Sequence, residues 1–503
     1  MHLFAKYRFI QPLAFSLLGA FSVLGFAPFY FYPVSILSLI AMFYYWHLNP
    51  LPKQAAWAGF FYGIGLFGAG IYWIYISLHE FGNMPVVMAG FATFVLCAFL
   101  SLFPAVVGAL SVRISTHQNY TRLLAIPVLW ALSEWVRSWI FTGFPWLTIG
   151  YSQVPASPLA GYVPIIGIYG TSFITLLLAS VIGYWIANKP ESYFWRRNTL
   201  ILLSLLWITG SLLKQIEWTT PAGKPVTVAL LQGNIAQSIK WAPEIAEQTL
   251  AQYLAMAEAS TAKLILMPET ALPVLSSELP DEIRLRLQQH AIQNQGDILV
   301  GVVERENGEY FNSMLSIGSA QSTVYRKSHL VPFGEFIPLK AALGWIYRDW
   351  LNMPLSDLSR GSIHQQPMHI AGEKVAVNIC YEDVFGEEII RQLPAASLLV
   401  NASNDAWYGE SLAAYQHLQF SQARALETGR TMLRTTNTGA TAMIDPHGKL
   451  LAHAPHFTQT TLNVVAQGYA GSTPYVRFGN WPFILFCFAA IVFIWRRNVI
   501  VRR

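Results

Sequence analysis

Val375-Ala376-Val377-Asn378-Ile379-Cys380-Tyr381-Glu382 runs from an apolar, β-branched stretch into a polar turn, and the change falls at a cysteine. Such a run reads as a buried strand with a reactive group at its end. Strand ends are where α/β domains expose functional side chains. Residues 226–233, 263–269, 297–304, 314–318, 398–405 and 440–445 read as further strands, and the first run extends over 375–382. Residues 243–260, 282–294 and 415–430 read as helices, the first opening on Pro243, a favoured helix-starting residue. Strands alternating with helices predict an α/β domain with buried sheets and outer helices.

Outward from this domain the composition changes sharply. The chain of 503 residues is 54% hydrophobic and 12% charged, with a net charge of +5. A soluble protein carries roughly 25% charged residues. Before Lys214 the only acids are Glu80, Glu134 and Glu191. Residues 215–479 hold 24 acids against 18 Lys plus Arg, a net −6, so the apolar remainder carries +11. The basic excess lies beside apolar runs, where it orients helices in a membrane. It is no sign of nucleic-acid binding.

A helix needs about 20 apolar residues to cross the hydrocarbon core. Eight spans are expected, near 11–27, 32–47, 56–77, 85–111, 123–140, 163–187, 200–213 and 481–495. The first is read as a retained helix, not a cleaved signal peptide, because Pro28 and further spans follow at once. Alternate connections are basic. They hold Lys6 and Arg8, then Lys53, then Arg113 and Arg122, then Lys189, Arg196 and Arg197, then Arg496, Arg497, Arg502 and Arg503. Arg137, at a span edge, is the exception on the other side. The positive-inside rule puts both termini in the cytoplasm and the large domain outside. Three segments are therefore expected: a seven-span membrane domain at 1–214, an external catalytic domain at 215–479, and an eighth span with a basic tail at 480–503.

Cys97 and Cys487 fall within expected spans and read as packing residues. Cys380 stands alone in a compartment where cysteines normally pair. Two other strand-like runs also end on reactive groups: Met267-Pro268-Glu269-Thr270 and Tyr325-Arg326-Lys327-Ser328-His329. A carboxylate can take a thiol proton, and an ammonium can stabilise a thiolate and a developing oxyanion. His329 and His417 form no ligand-spaced cluster and read as structural. His79 and Glu80 read as a solvated loop.

In this order Glu269, Lys327 and Cys380 resemble the Glu-Lys-Cys triad of the nitrilase superfamily. Within it, the apolipoprotein N-acyltransferase family is the similar branch. The resemblance is carried by Gly143-Phe144-Pro145-Trp146, Gly150-Tyr151-Ser152-Gln153, Gln232-Gly233-Asn234, Lys240-Trp241 and Pro332-Phe333-Gly334-Glu335. Residues 401–409, Asn-Ala-Ser-Asn-Asp-Ala-Trp-Tyr-Gly, and Thr473-Pro474-Tyr475 add to it. It implies an α-β-β-α sandwich from about Val226 to Asn463. It implies Glu269 as general base, Lys327 as oxyanion stabiliser and Cys380 as nucleophile. Glu335 is implied as a supporting carboxylate, and Tyr381 and Glu382 as neighbours of the nucleophile. Trp241, Trp407 and Trp146 are implied as gates or substrate contacts, with interfacial anchoring as the plainer alternative.

The implied reaction moves a fatty acyl chain from a membrane glycerophospholipid to the α-amine of an N-terminal diacylglyceryl-cysteine, through a thioester on Cys380. No metal or cofactor is implied, a monomer suffices, and the location is the bacterial inner membrane. Two competing readings are a membrane-tethered amidase or hydrolase, and a transporter. The transporter would place ionisable groups along the spans. Glu134 and Arg137 form the one close pair there, and a local ion pair is the expected explanation.

Overall fold

A computed structural model of the protein describes residues 10–48, 51–115, 121–189, 192–336 and 357–502. Lys6, Arg8 and Arg503 lie outside the described residues. The chain forms two units, Met1–Tyr75, Val87–Ile216 and Phe478–Arg503 in one, Ile76–Val86 and Glu217–Arg477 in the other.

The first unit is helical. A helix stands at each of the eight expected stretches: Ile10–Ser22, Tyr32–Leu48, Pro52–Gly70, Val86–Arg113, Thr121–Arg137, Val163–Asn188, Tyr193–Leu213 and Trp481–Arg502. Among the described residues, Val86–Arg113 and Pro158–Asn188 are long and apolar enough to cross a membrane. The pair Pro52–Gly70 and Trp73–Phe81, bent by 53°, makes a third if it is one span. The 17 residues of Tyr32–Leu48 and of Thr121–Arg137 extend only about 26 Å at a helical rise of ~1.5 Å per residue.

Small residues set the helix spacing. A Cβ on Gly19 would meet the Tyr62 backbone, and one on Gly65 the Ser16 backbone, so the first and third helices pack main chain to main chain. The seventh helix begins earlier than expected, at Tyr193, and therefore carries Arg196 and Arg197 itself. Nor is Arg122 a free loop base. It is buried and donates to Ser115 Oγ at 2.8 Å and the Trp46 carbonyl at 3.1 Å.

Glu134 and Arg137, expected as a local ion pair, are instead engaged with the turn that follows their helix. Glu134 Oε1 accepts Ile149 N–H at 2.9 Å, and Arg137 Nη1 donates to the carbonyls of Phe144 and Trp146 at 2.7 and 2.6 Å. Both brace residues 144–149, which hold the Phe-Pro-Trp part of the Gly-Phe-Pro-Trp motif.

The second unit is built on two six-stranded sheets. The strands are β1 (Thr219–Gln232), β2 (Leu264–Leu266), β3 (Asp297–Glu306), β4 (Glu309–Gly318), β5 (Val324–Arg326), β6 (Met368–Ile370), β7 (Glu373–Ile379), β8 (Leu398–Ser403), β9 (Thr431–Thr436), β10 (Ala442–Ile444), β11 (Leu450–His453) and β12 (Thr460–Gly471). Their orders are β12-β1-β2-β3-β4-β5 and β11-β10-β9-β8-β7-β6. In each, three central strands are parallel (β1, β2 and β3; β7, β8 and β9) and the flanking pairs are antiparallel.

The period-two alternation of each strand decides which core a side chain joins. Val228 and Leu230 on β1 share the core between the sheets with Val375, Val377 and Ile379 on β7. Ala229 and Leu231 turn outward to the helices Pro243–Glu258 and Asp281–Gln293. Ala376, Leu399 and Met432 turn outward to the helix Ala413–Thr428. The result is the expected α-β-β-α sandwich. It is wider than 226–463, because β1 starts at Thr219 and its antiparallel partner β12 ends at Gly471.

Candidate active site

Parallel β-strands project their C-terminal ends to one edge, and the candidate groups collect there from both sheets. Glu269 follows β2, Lys327 follows β5 and Cys380 follows β7. Cys380 begins a 3-10 turn with a left-handed backbone, φ 52°. That conformation is uncommon for a side chain other than glycine and marks a strained elbow.

The Lys327 ammonium, 1% exposed, lies between two carboxylates. Its Nζ is 3.2 Å from Glu269 Oε1 and 2.9 Å from the Glu335 carboxylate. Asn312 on β4 binds the same pair, donating to Glu269 Oε1 at 2.7 Å and to Glu335 Oε1 at 2.9 Å. The other Glu269 oxygen accepts Asn404 N–H at 2.9 Å, and Glu335 Oε2 accepts Val331 N–H at 2.8 Å.

Charge states follow from these contacts. Burial raises the Glu269 pKa, but Lys327 and the hydrogen bonds outweigh it, so the carboxyl titrates below its ordinary range. Burial works against the Lys327 charge, yet Glu269 and Glu335 hold its pKa well above the usual lysine value. For Cys380, burial and then the Glu269 charge push the thiol pKa up, with Lys327 pulling the other way. The resting set is therefore carboxylate, ammonium and neutral thiol. A thiol beside an ionised carboxylate can pass its proton to that carboxylate as it attacks, with the ammonium facing the new charge.

Glu382 fastens the elbow. Its Oε2 accepts Ile379 N–H at 2.7 Å and the Tyr325 hydroxyl at 3.0 Å. Its Oε1 accepts the N–H and hydroxyl of Ser328 at 2.6 and 2.8 Å and His329 N–H at 3.1 Å. One carboxylate thus ties the cysteine turn of one sheet to the lysine loop of the other. Tyr381 packs edge-on to Phe385, whose ring stacks on His329 at 3.8 Å. His329 Nδ1 sits 3.2 Å from Glu388.

Beneath the elbow is a buried charge cluster. His417 lies 3.0 Å from Asp383 Oδ1 and 2.9 Å from Asp405 Oδ1. Arg434 lies 3.1 Å from each of the same two aspartates. Burial and Arg434 oppose protonation of His417, but the aspartates prevail and raise its pKa to about 9. The imidazolium Nε2 and Asn401 Nδ2 both donate to the Cys380 carbonyl at 3.1 Å. His417 is structural, as expected from sequence, and its contact is with the nucleophile's own backbone.

The tryptophans divide. Trp241 lies 5.9 Å over Lys240 Nζ, and Trp407 packs edge-on to Phe81 at 6.0 Å. Trp407 follows β8 in the turn Asp405–Tyr408, and Phe81 ends the single π-helical turn Ser77–Phe81. His79 in that turn is no solvated loop residue, since its Nδ1 is 2.8 Å from the Met84 carbonyl. Trp146 belongs to the helical unit, where it is 2% exposed and stacked on Phe144 at 5.1 Å. That is a packing position, at odds with interfacial anchoring. Sequence reading missed Asn312, Tyr325, Asn404 and Arg434 as site-builders. The available signal was a polar residue at a buried strand position, as with Asn312 between Phe311 and Met314. Among the described residues no group of three His, Cys, Asp or Glu could hold a metal ion.

Comparison with known proteins agrees with this architecture. Residues 18–181 match the apolipoprotein N-acyltransferase N-terminal domain, and residues 227–475 match the carbon-nitrogen hydrolase domain. A Nitrosomonas europaea protein named apolipoprotein N-acyltransferase is 50% identical over 476 residues, covering 94% of each chain. One of the same name from Chromobacterium violaceum is 43% identical over 498 residues, 97% of this chain and 95% of that one. A solved carbon-nitrogen hydrolase from Helicobacter pylori is 17% identical with a TM-score of 0.36, over 52% of this chain and 94% of that chain. By identity and coverage, the chain belongs to the apolipoprotein N-acyltransferase family.

Proposed function

We propose that the protein transfers a fatty acyl chain from a membrane glycerophospholipid to the α-amine of a lipoprotein's N-terminal diacylglyceryl-cysteine. The observation that carries this is the buried Lys327 ammonium between Glu269 and Glu335, at the strand-end edge that also carries Cys380. In a family that acylates apolipoproteins, that set supports two-step covalent transfer.

In the first step the Cys380 thiol attacks the ester carbonyl and its proton passes to Glu269. Lys327 stabilises the oxyanion. The carbon–oxygen bond breaks, the proton goes from Glu269 to the departing lysophospholipid, and a thioester remains. In the second step the neutral amine attacks the thioester and Glu269 takes its proton. The carbon–sulfur bond breaks, the proton returns to the thiolate, and the N-acylated lipoprotein leaves. Glu335 and Glu382 hold Lys327 and the elbow, Tyr381 flanks the nucleophile, and Trp241 and Trp407 border the substrate path. Trp146 acts through packing of its turn.

Labelled phospholipid supplied alone should load the protein through a hydroxylamine-sensitive thioester. A diacylglyceryl-cysteine peptide added next should receive that label on its amine. Label lost to water equally fast with or without peptide would replace the acyltransferase with a hydrolase.

The proposal includes eight spans in the bacterial inner membrane, a monomer, both termini cytoplasmic and residues 215–479 periplasmic as a catalytic domain. The alternating basic connections and the eight helices support it. A reporter active only in the periplasm should work when fused after Gly223 and be silent after Arg503. The opposite result would invert the topology.

A further inference from the structure

The site holds a second buried ammonium that the chemistry above leaves unused. Lys240 is 2% exposed although it lies in an irregular connection between β1 and the helix Pro243–Glu258. A lysine so placed is costly unless its charge is answered. Its Nζ donates to Thr270 Oγ1 at 2.7 Å and lies 3.5 Å from the Glu269 carbonyl oxygen. Thr270 is itself strained, with φ 45°. Burial lowers the Lys240 pKa to about 8, and the Glu269 charge works to raise it. Lys240 is therefore largely protonated at neutral pH and adds a second cation to the surroundings of Glu269.

The same connection reaches Glu269 from its other side. Gln237 Oε1 accepts Asn404 Nδ2 at 2.6 Å, and Asn404 N–H donates to Glu269 Oε2 at 2.9 Å. The connection is clamped at its start, where Asn437 exchanges hydrogen bonds with Ile235 at 2.9 and 2.7 Å. At its end stands Trp241, whose indole N–H is buried with no hydrogen-bond partner among the described residues.

We propose that Lys240 is a positioning residue for the acyl transfer: through Thr270 it holds Glu269 aligned and ionised while the 235–241 connection is seated. This rests on Glu269 being the general base. The titratable groups facing Glu269 are Lys327 and Glu335 from the 327–335 loop, Cys380 from the elbow, Tyr408 from the turn after β8, and Lys240. Of the two cations, Lys327 also serves the oxyanion. Lys240 contacts Thr270, the Glu269 backbone and the Trp241 ring, and acts on the reacting groups through the base, so its loss has a distinctive signature. Removing a cation near a carboxylate raises that carboxylate's pKa. The acidic limb of the acylation rate, which rises as Glu269 loses its proton, then moves to higher pH.

The test is single-turnover acylation of the full-length protein by labelled phospholipid, from pH 3 to 9, without acceptor. Lys240→Met should move the acidic limb upward by about one pH unit. At a pH below both limbs it should acylate about ten-fold slower, because the ionised fraction of the base there falls about ten-fold for each pH unit that the limb rises. Lys240→Arg should return the limb toward the wild-type position even if the rate stays reduced. A Lys240→Met enzyme slowed equally at every pH, with an unmoved limb, overturns the proposal and leaves Lys240 a packing residue. Glu269→Gln separates the two readings. If it acylates near the wild-type rate, the base assignment itself fails. If it is inactive while Lys240→Met keeps the wild-type limb, only the role of Lys240 fails. Should Lys240→Met not fold, Thr270→Val removes the hydroxyl anchor alone. It should move the limb in the same direction, and an unmoved limb there is equally fatal.

Discussion

Cys380→Ala is expected to take up no label from phospholipid and to release no lysophospholipid, a loss on the order of 10⁶ in rate, as when a covalent nucleophile is removed. The fold should survive. Cys380 packs in the inter-sheet core, but trading a thiol for a methyl removes one heavy atom, and a deletion of that size costs about 1 kcal/mol. The elbow around it is held by backbone bonds to Glu382, Asn401 and His417, none of which uses the sulfur. Cys380→Ser should fold as well and transfer very slowly, because a hydroxyl is far harder to deprotonate than a thiol. The measurement is intact-mass detection of an acyl adduct, with lysophospholipid counted in the same samples. Release of lysophospholipid by a folded Cys380→Ala enzyme would mean that the acyl group never rests on this residue.

Lys327→Met and Glu269→Gln are expected to slow acyl-enzyme formation by roughly 10²–10³ each, the scale of one lost electrostatic partner at a developing oxyanion. The physical causes differ. Methionine fills the space of the lysine but leaves Glu269 and Glu335 facing each other, with Asn312 as the donor they share. Two buried carboxylates so close cannot both stay ionised, so Lys327→Met loses the oxyanion partner and weakens the base together. Glutamine at 269 keeps an oxygen for Lys327 and Asn312. Its amide group, however, meets the Asn404 N–H, donor against donor, and it cannot take a proton from the thiol. Burst amplitude and rate with labelled phospholipid check both, with thermal unfolding as the control for fold. A folded variant with a near wild-type burst removes that residue from the chemistry.

Much of this was legible because local pattern and tertiary role coincide. The alternation in Val228-Ala229-Leu230-Leu231 assigns two faces, and both are buried in different cores. Glu269, Lys327 and Cys380 stood out because each follows a strand-like run, and strand ends are where α/β domains deliver reactive side chains. Other features could not be read locally. Strand β9 is Thr-Met-Leu-Arg-Thr-Thr, and its arginine disguises a fully buried strand. That arginine is tolerated only because Asp383 and Asp405 meet it from elsewhere in the chain. Strand β12 alternates weakly, being largely half-buried, and owes its place to pairing with β1 more than 200 residues earlier. Asn312 and Asn404 gain meaning only from the carboxylate they share. Helix limits were misjudged for a related reason. Arg122 and Arg137 look like boundary charges but are buried against backbone carbonyls.

The bond between Glu382 and the 325–329 segment joins two sheets whose strands, β12 apart, come from separate halves of the sandwich sequence. Base and ammonium come from the half made first, the thiol from the half made second. Base, ammonium and thiol therefore form one reagent only after both halves have met. Before that moment the thiol is an ordinary neutral cysteine, and the carboxylate has nothing to deprotonate. Completion of the reactive set is thus left to folding itself. An isolated half carries either the base and the ammonium or the thiol, never the full set.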